Sequence, residues 1–185
     1  MIIYSATDFK TLPWKNGKGT TTELIRLPHQ ADLTDFDLRI SIADVNSDGE
    51  FSPFPDHVRW ISVLEGNYFL LSHNNSEMVR VNQSDLHFFS GSDSTFCRTD
   101  GQILKDFNVI VSKQVAEKVQ VFFSPENFTP KPNHVYFVYI IDGNVTLSSG
   151  KTISDHHLLQ LSSTEFQDIV FQPSRFFLIE SVFLF

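Results

Sequence analysis

The sequence predicts an all-β protein, a double jelly roll, and three observations carry that prediction. Short apolar stretches recur along the whole chain between Gly, Pro, Asn and Asp clusters, and no helix-period segment runs beyond about ten residues. Phenylalanine occurs 19 times in 185 residues, and it is a side chain that favours pleated, half-buried surfaces. A hairpin signature also appears twice. Val63-Leu64-Glu65-Gly66-Asn67-Tyr68 and Ile140-Ile141-Asp142-Gly143-Asn144-Val145 each place an acid and Gly-Asn between an outgoing and a returning apolar strand. About twenty residues later each copy carries an acid, a histidine and an apolar pair, in Asp85-Leu86-His87-Phe88-Phe89 and Asp155-His156-His157-Leu158-Leu159.

Taken in order, Ile2 to Ser5 reads as a strand and Ala6 to Leu12 as a turn or a single helical turn. Trp14 to Thr22 reads as a loop, and Leu24, Ile25 and Leu27 mark a strand from Glu23 to Leu27. Pro28 to Asp35 is polar and turning. Phe36 to Asp44 alternates strictly, with Phe36, Leu38, Ile40 and Ile42 against Asp37, Arg39, Ser41 and Ala43, which is the period of a half-buried strand. Asn46 to Pro55 is a loop. Strands follow at Arg59–Leu64, Tyr68–Ser72, Met78–Val81, Leu86–Phe89, Thr95–Arg98 and Phe107–Val111. The second half repeats the logic at Val119–Phe123, Val135–Ile141, Val145–Ser148, Leu158–Leu161, Ile169–Phe171 and Phe176–Phe185, with a Pro-rich loop over Pro125–Pro132. The division of the chain is therefore expected at 1–112 and 113–185, two halves of one compact unit.

Bulk composition narrows the function. A net charge of −8 disfavours a nucleic-acid surface and adsorption to anionic lipid. Cys97 is the sole cysteine, so no intrachain disulfide forms. The first residues lack a basic region followed by an apolar core, and no apolar run is long enough to span a bilayer, so a cytoplasmic protein is expected.

The stretch with the densest chemistry is Leu12-Pro-Trp-Lys-Asn-Gly-Lys-Gly-Thr-Thr-Thr-Glu23. Gly17 and Gly19 let the backbone turn sharply or lie close against a neighbour. The stretch has the composition of the lip of a small-molecule site, where a few polar groups converge beside an aromatic wall.

That stretch, followed by Arg39-Ile-Ser-Ile-Ala-Asp44, Gly49-x-Phe-Ser-x-Phe-Pro55, Leu64-x-Gly66 and Asp106-Phe-Asn108, resembles the HutD/Ves family over roughly the first 110 residues. The second half resembles it mainly in hairpin layout. The resemblance implies a bicupin: two double-stranded β-helix (cupin) barrel halves in one chain. It implies a bacterial protein tied to histidine utilisation or a stress response, no established enzymatic activity, and a small pathway carboxylate such as N-formylglutamate or urocanate as ligand. One departure is Lys18, where the family often has glycine.

The candidate ligand-binding residues are Trp14, Lys15, Asn16, Gly17, Thr20, Thr21, Glu23, Arg39, Ser41 and Asp44. Trp14 either walls a pocket or plugs the barrel mouth. Lys15 and Lys18 either neutralise a carboxylate or stand in solvent. Asn16, Thr20 and Thr21 either bond a ligand or cap their own turn. Arg39 sits mid-strand, with Asp37, Asp44 or Glu23 as partner. Inside a barrel its guanidinium suits bidentate carboxylate recognition, and outside it is an ordinary surface arginine; the resemblance favours the inside. Ser41 shares its face, as Asp106 shares one with Asn108, a pair placed to hold Arg39 or Arg59.

No metal, cofactor or catalytic residue is expected. His-x-His occurs nowhere, His156 and His157 are adjacent and face opposite sides of a strand, and His57 with His87 is the remaining pairing. Gly17-Lys18-Gly19-Thr20 lacks phosphate-loop spacing, and Cys97 reads as core. Three functions follow: a non-catalytic binder of a small anion, a metal-independent isomerase or hydrolase with Glu23 or Asp44 as base, and a homodimer closed by Phe183-Leu184-Phe185.

Overall fold

In a computed structural model the described residues are 1–14, 19–172 and 174–182. Among them the strands are β1 (Ile2–Tyr4), β2 (Lys10–Pro13), β3 (Gly19–Leu27), β4 (Leu38–Val45), β5 (Gly49–Glu50), β6 (His57–Glu65), β7 (Tyr68–His73), β8 (Val79–Asn82), β9 (His87–Ser90), β10 (Thr95–Arg98) and β11 (Leu104–Ser112). They continue with β12 (Val119–Phe123), β13 (Val135–Asp142), β14 (Asn144–Leu147), β15 (Thr152–Ser154), β16 (Leu158–Ser162), β17 (Ile169–Phe171) and β18 (Arg175–Ser181). A single turn of 3-10 helix, Ala116–Lys118, and one short helix, α1 (Ser163–Gln167), complete the described elements. No described helix is long and apolar enough to cross a membrane.

The chain forms two compact units, Lys10–Ala116 and Met1–Phe9 with Glu117–Phe185. The expected first half thus loses its opening strand. β1 is too short to form a sheet by itself, and it completes the edge of the other unit by pairing antiparallel with β16, Ile2 opposite Gln160 and Tyr4 opposite Leu158.

The Lys10–Ala116 unit has a six-stranded sheet, ordered β2-β3-β4-β11-β6-β9, and a four-stranded sheet, β5-β10-β7-β8. Val45, Ile61, Val63 and Leu104 from the first pack against Phe69, Leu71, Val81 and Cys97 from the second. The other unit repeats the plan with a five-stranded sheet, β1-β16-β13-β18-β12, and a three-stranded one, β15-β14-β17. Its core joins Tyr136, Val138 and Leu159 to Val145, Leu147 and Ile153. The repeated hairpin signature builds β6–β7 and β13–β14. Its glycines, Gly66 and Gly143, hold φ of 102° and 82°, backbone that a side chain disfavours.

Two expectations are corrected. Lys10–Pro13 and Gly19–Thr22 are strand, not turn and loop: three consecutive threonines are β-branched, and they bridge β2 on one side and β4 on the other. β4 is buried on both faces, with Leu38 and Ile40 fully covered on one and Arg39 and Ser41 covered on the other. The Phe183–Phe185 segment and the tip residues Lys15, Asn16, Gly17 and Lys18 lie outside the described residues. Helix α1 was not foreseen, yet Ser162-Ser-Thr-Glu165 closes a full capping box at its start.

Candidate functional site

Strand register alone assembles the polar surface of the six-stranded sheet. Partners directly opposite across neighbouring strands point to the same face. One row therefore runs Arg26, Arg39, Ile110, Arg59 and Phe89 across five strands. The row beside it runs Glu23, Ser41, Asn108, Ile61 and His87, and the next brings Thr21, Ala43, Asp106 and Val63 together. This is the face that carries Val45, Ile61, Val63 and Leu104 into the core. Its apolar end fills the interior and its polar end holds three arginines.

A bulge makes the first ion pair possible. The β3–β4 register shifts between Glu23 and Ile25, so Glu23 and Arg26, three apart, both reach the Arg39 face. Glu23 accepts the Arg39 Nε–H at 2.8 Å through Oε2, and its Oε1 stands 3.4 Å from Arg26 Nε. Arg39 is 9% exposed, which places it inside, with Glu23 as its partner. Ser41 is buried on the same face.

Arg59, named from the sequence only as a possible partner of Asp106 and Asn108 and not among the candidate ligand-binding residues, joins the same face. It is 6% exposed. It donates through Nη2 to Asn108 Oδ1 at 2.7 Å and through Nη1 to the Ser52 carbonyl at 3.4 Å, while its Nε has no hydrogen-bond partner. Phe51, Phe54 and Phe89 surround it, ring centroids 5.4, 5.7 and 5.0 Å from its guanidinium carbon. Burial pulls its pKa down to about 10, against the opposing pull of Asp106. Phe54 also faces Arg39, 6.0 Å from its guanidinium carbon, so one half-buried ring stands near both cations. The Gly49-x-Phe-Ser-x-Phe segment was the available signal, because its two aromatic positions are those that cover Arg59.

Asp106 is 2% exposed and accepts from the Asn108 side-chain amide. Burial pushes its carboxyl up to about 7, although Arg59 and the Ala43 N–H pull the other way. Asp106 and Asn108 thus serve Arg59, one of the two alternatives the sequence left open.

The hairpin β2–β3 holds the remaining described candidates. Trp14 leans on the interior cluster and donates its Nε1–H to Thr21 Oγ1 at 2.8 Å. Thr20 donates its hydroxyl to the Asp44 carboxylate. Gly19 is required for space: a Cβ there would stand 2.1 Å from the Asp44 carbonyl oxygen and 3.1 Å from the Trp14 ring. The calls on Lys15, Asn16 and Gly17 fall outside the described residues.

His57 does not pair with His87. Its ring lies between the Pro55 and Phe36 carbonyls, at 2.9 and 3.0 Å. His87 instead meets His73 from the opposing sheet, Nε2 to Nε2 at 2.8 Å. Burial draws both imidazoles below the usual histidine range. Among the described residues no group of three or more His, Cys, Asp or Glu is placed to hold a metal. Burial pushes the Cys97 thiol up, which leaves it an inert core residue.

Comparison with known proteins agrees with this architecture. A 21.2 kDa protein from the hutC 3′ region of Pseudomonas putida is 36% identical over 112 residues, which span 60% of this chain and 58% of that protein. Protein Ves of Escherichia fergusonii is 31% identical over 140 residues, 74% of this chain and 72% of that one. Among solved structures, HutD from Pseudomonas fluorescens SBW25, in a formate condition, superposes with a TM-score of 0.74 at 28% identity, covering 97% of this chain and 96% of that one. A cupin 2 conserved barrel domain protein from Leptotrichia buccalis, at a TM-score of 0.55 and 11% identity over 91% of this chain and 90% of that one, shares the fold alone. The fold is accordingly the all-β, cupin-like one. The family model described as HutD matches residues 6–177, nearly the whole chain, and the protein belongs to the HutD family.

Proposed function

We propose that this chain is a non-catalytic, small-anion-binding bicupin of the HutD/Ves type. In this reading it modulates histidine utilisation or a stress response by holding a pathway carboxylate, N-formylglutamate-like or urocanate-like, in the cytoplasm. The supporting observation is the charge balance on one face of the six-stranded sheet. Arg26, Arg39 and Arg59 stand there against Glu23 and Asp106. With its pKa at about 7, Asp106 supplies only about half a negative charge at neutrality. The cluster is therefore short of anions, and the Arg59 Nε has a donor to spare. An acidic chain of net charge −8 that concentrates guanidinium groups in its interior is built for a small anion and not for nucleic acid or anionic membrane.

The test is calorimetry with N-formylglutamate, urocanate and histidine at neutral pH. A carboxylate ligand should bind, and Arg39→Ala and Arg59→Met should each weaken it at least tenfold. Thermal unfolding of each variant separates lost binding from lost fold, and Arg39→Lys keeps the charge if the alanine variant does not fold. Unchanged affinity in both arginine variants would sink the reading.

A second reading is a metal-independent isomerase or hydrolase acting on the same ligand class. Glu23 is held by two arginines and Asp44 by Thr20, so neither proton acceptor named from the sequence is idle. Asp106 is the better base in that case, because its carboxyl is poised near neutrality. Turnover of a candidate carboxylate that disappears in Asp106→Asn supports this reading, and no turnover across a panel of such metabolites removes it.

A further inference from the structure

We infer that the arginine face of the six-stranded sheet is a two-ended clamp for a short dicarboxylate, with Arg39 holding one carboxylate and Arg59 the other. The inference rests on the small-anion reading and narrows its ligand class, because a monocarboxylate fills one end only.

Register sets the two ends. Ile110 stands directly opposite Arg39 on one side and Arg59 on the other, so all three side chains share one face. Arg39 and Arg59 are therefore two strand spacings apart, about 9–10 Å at the backbone. Ile110 is the shorter side chain and is 1% exposed, which makes it an apolar floor between two guanidinium groups. The Phe54 ring supplies a wall, its centroid 6.0 Å from the Arg39 guanidinium carbon and 5.7 Å from that of Arg59. A cation, then aliphatic and aromatic surface, then a second cation is the complement of a short carbon chain with a carboxylate at each end. Arg26 and Arg39 leave no such gap, because Glu23 contacts both.

Both ends keep donors that the fold does not use. Arg39 gives its Nε–H to Glu23, and neither of its Nη groups donates to any described residue. Arg59 is buried, yet its Nε has no hydrogen-bond partner and its Nη1 reaches the Ser52 carbonyl only at 3.4 Å. A buried charged donor left unpaired is costly, and a ligand carboxylate at that end satisfies it. Ser52 and Pro53 are exposed, so the segment that covers Arg59 is itself at the surface. The charge also matches. Arg26, Arg39 and Arg59 against Glu23 leave two positive charges when Asp106 holds its proton, and that carboxyl stands at about 7. A bound dianion favours the protonated Asp106 by like-charge repulsion and cancels both charges, whereas a monoanion leaves one.

The experiment is calorimetry on the full-length protein with matched pairs, each a diacid and its own monoamide: succinate and succinamate, glutarate and glutaramate, adipate and adipamate. The members of a pair share length and shape and differ by one charge. Titrations run at neutral pH and about 1 M salt, where attraction beyond about 3 Å is largely screened and direct contacts dominate. At least one diacid should bind about tenfold tighter than its monoamide. That preference should fall to about twofold or less in Arg39→Gln and in Arg59→Met, each of which leaves a single end of the clamp. The wild-type comparison decides the matter by itself if a variant fails to fold. Monoamides that bind as tightly as their diacids, or a preference that survives in both variants, overturn the clamp. Binding of urocanate with no binding of any diacid overturns the clamp and leaves the anion reading standing. No binding of any carboxylate removes the anion reading and the clamp with it.

Discussion

Replacing Asp106 by asparagine tests how the interior charge is carried. The carboxyl stands at about 7 against an ordinary 3.8. That gap is worth about 4 kcal/mol between the protonated and ionised forms. The direction follows from linkage. The folded protein keeps the Asp106 proton up to about pH 7, whereas the unfolded chain releases it near 3.8. The stability so contributed is complete below the unfolded value and is lost as pH rises through the folded one. Asparagine keeps an oxygen for the Asn108 amide but does not titrate. The stability of Asp106→Asn relative to wild type should therefore rise by about 2–3 kcal/mol between pH 5 and pH 7. Urea unfolding of both proteins at pH 5, 6, 7 and 8 reads this difference directly, and the side-chain carbonyl NMR shift of Asp106 reports its midpoint. A difference that stays flat across the window, or a midpoint near 4, would show that Arg59 compensates the carboxylate fully, and the shortage of negative charge would vanish with it.

Two further outcomes are expected. Gly19→Ala drives a methyl into the Asp44 carbonyl, so it should cost about 2–3 kcal/mol and shift Trp14 fluorescence by moving the ring packed over it; a neutral effect on thermal unfolding would show that β3 slides freely. Ser162→Ala removes the capping box of α1 and should cost about 1 kcal/mol, while leaving carboxylate binding in the other unit unaltered, as read by paired denaturation and calorimetry.

Alternation made β4 legible, and the paired Gly-Asn turns made the duplication legible, because both are local rules that act over a few residues. The Thr20–Thr22 run was read as loop because its hydroxyls looked like turn chemistry. The backbone pairing that makes it a strand comes from β2 and β4, seven or more residues away in sequence. Arg39 stood out because its own strand is otherwise apolar. Arg59 did not, since its burial depends on Phe51, Phe54 and Phe89 closing over it, and two of those three lie on a segment that reads as loop. The Glu23–Arg26–Arg39 grouping needed a bulge, which no residue type announces. His73 and His87 belong to different sheets, so nothing in their spacing along the chain announces their contact.

The placement of β1 has a consequence for synthesis. Every strand of the Lys10–Ala116 unit is available once residue 116 has left the ribosome, so that unit can close early. Ile2–Tyr4 must wait, with its backbone unpaired, until Leu158–Gln160 is made. Nascent chains arrested between those points should carry an open leading segment ahead of an already folded body, and a chaperone or peptidase that recognises extended apolar chain would meet it there first.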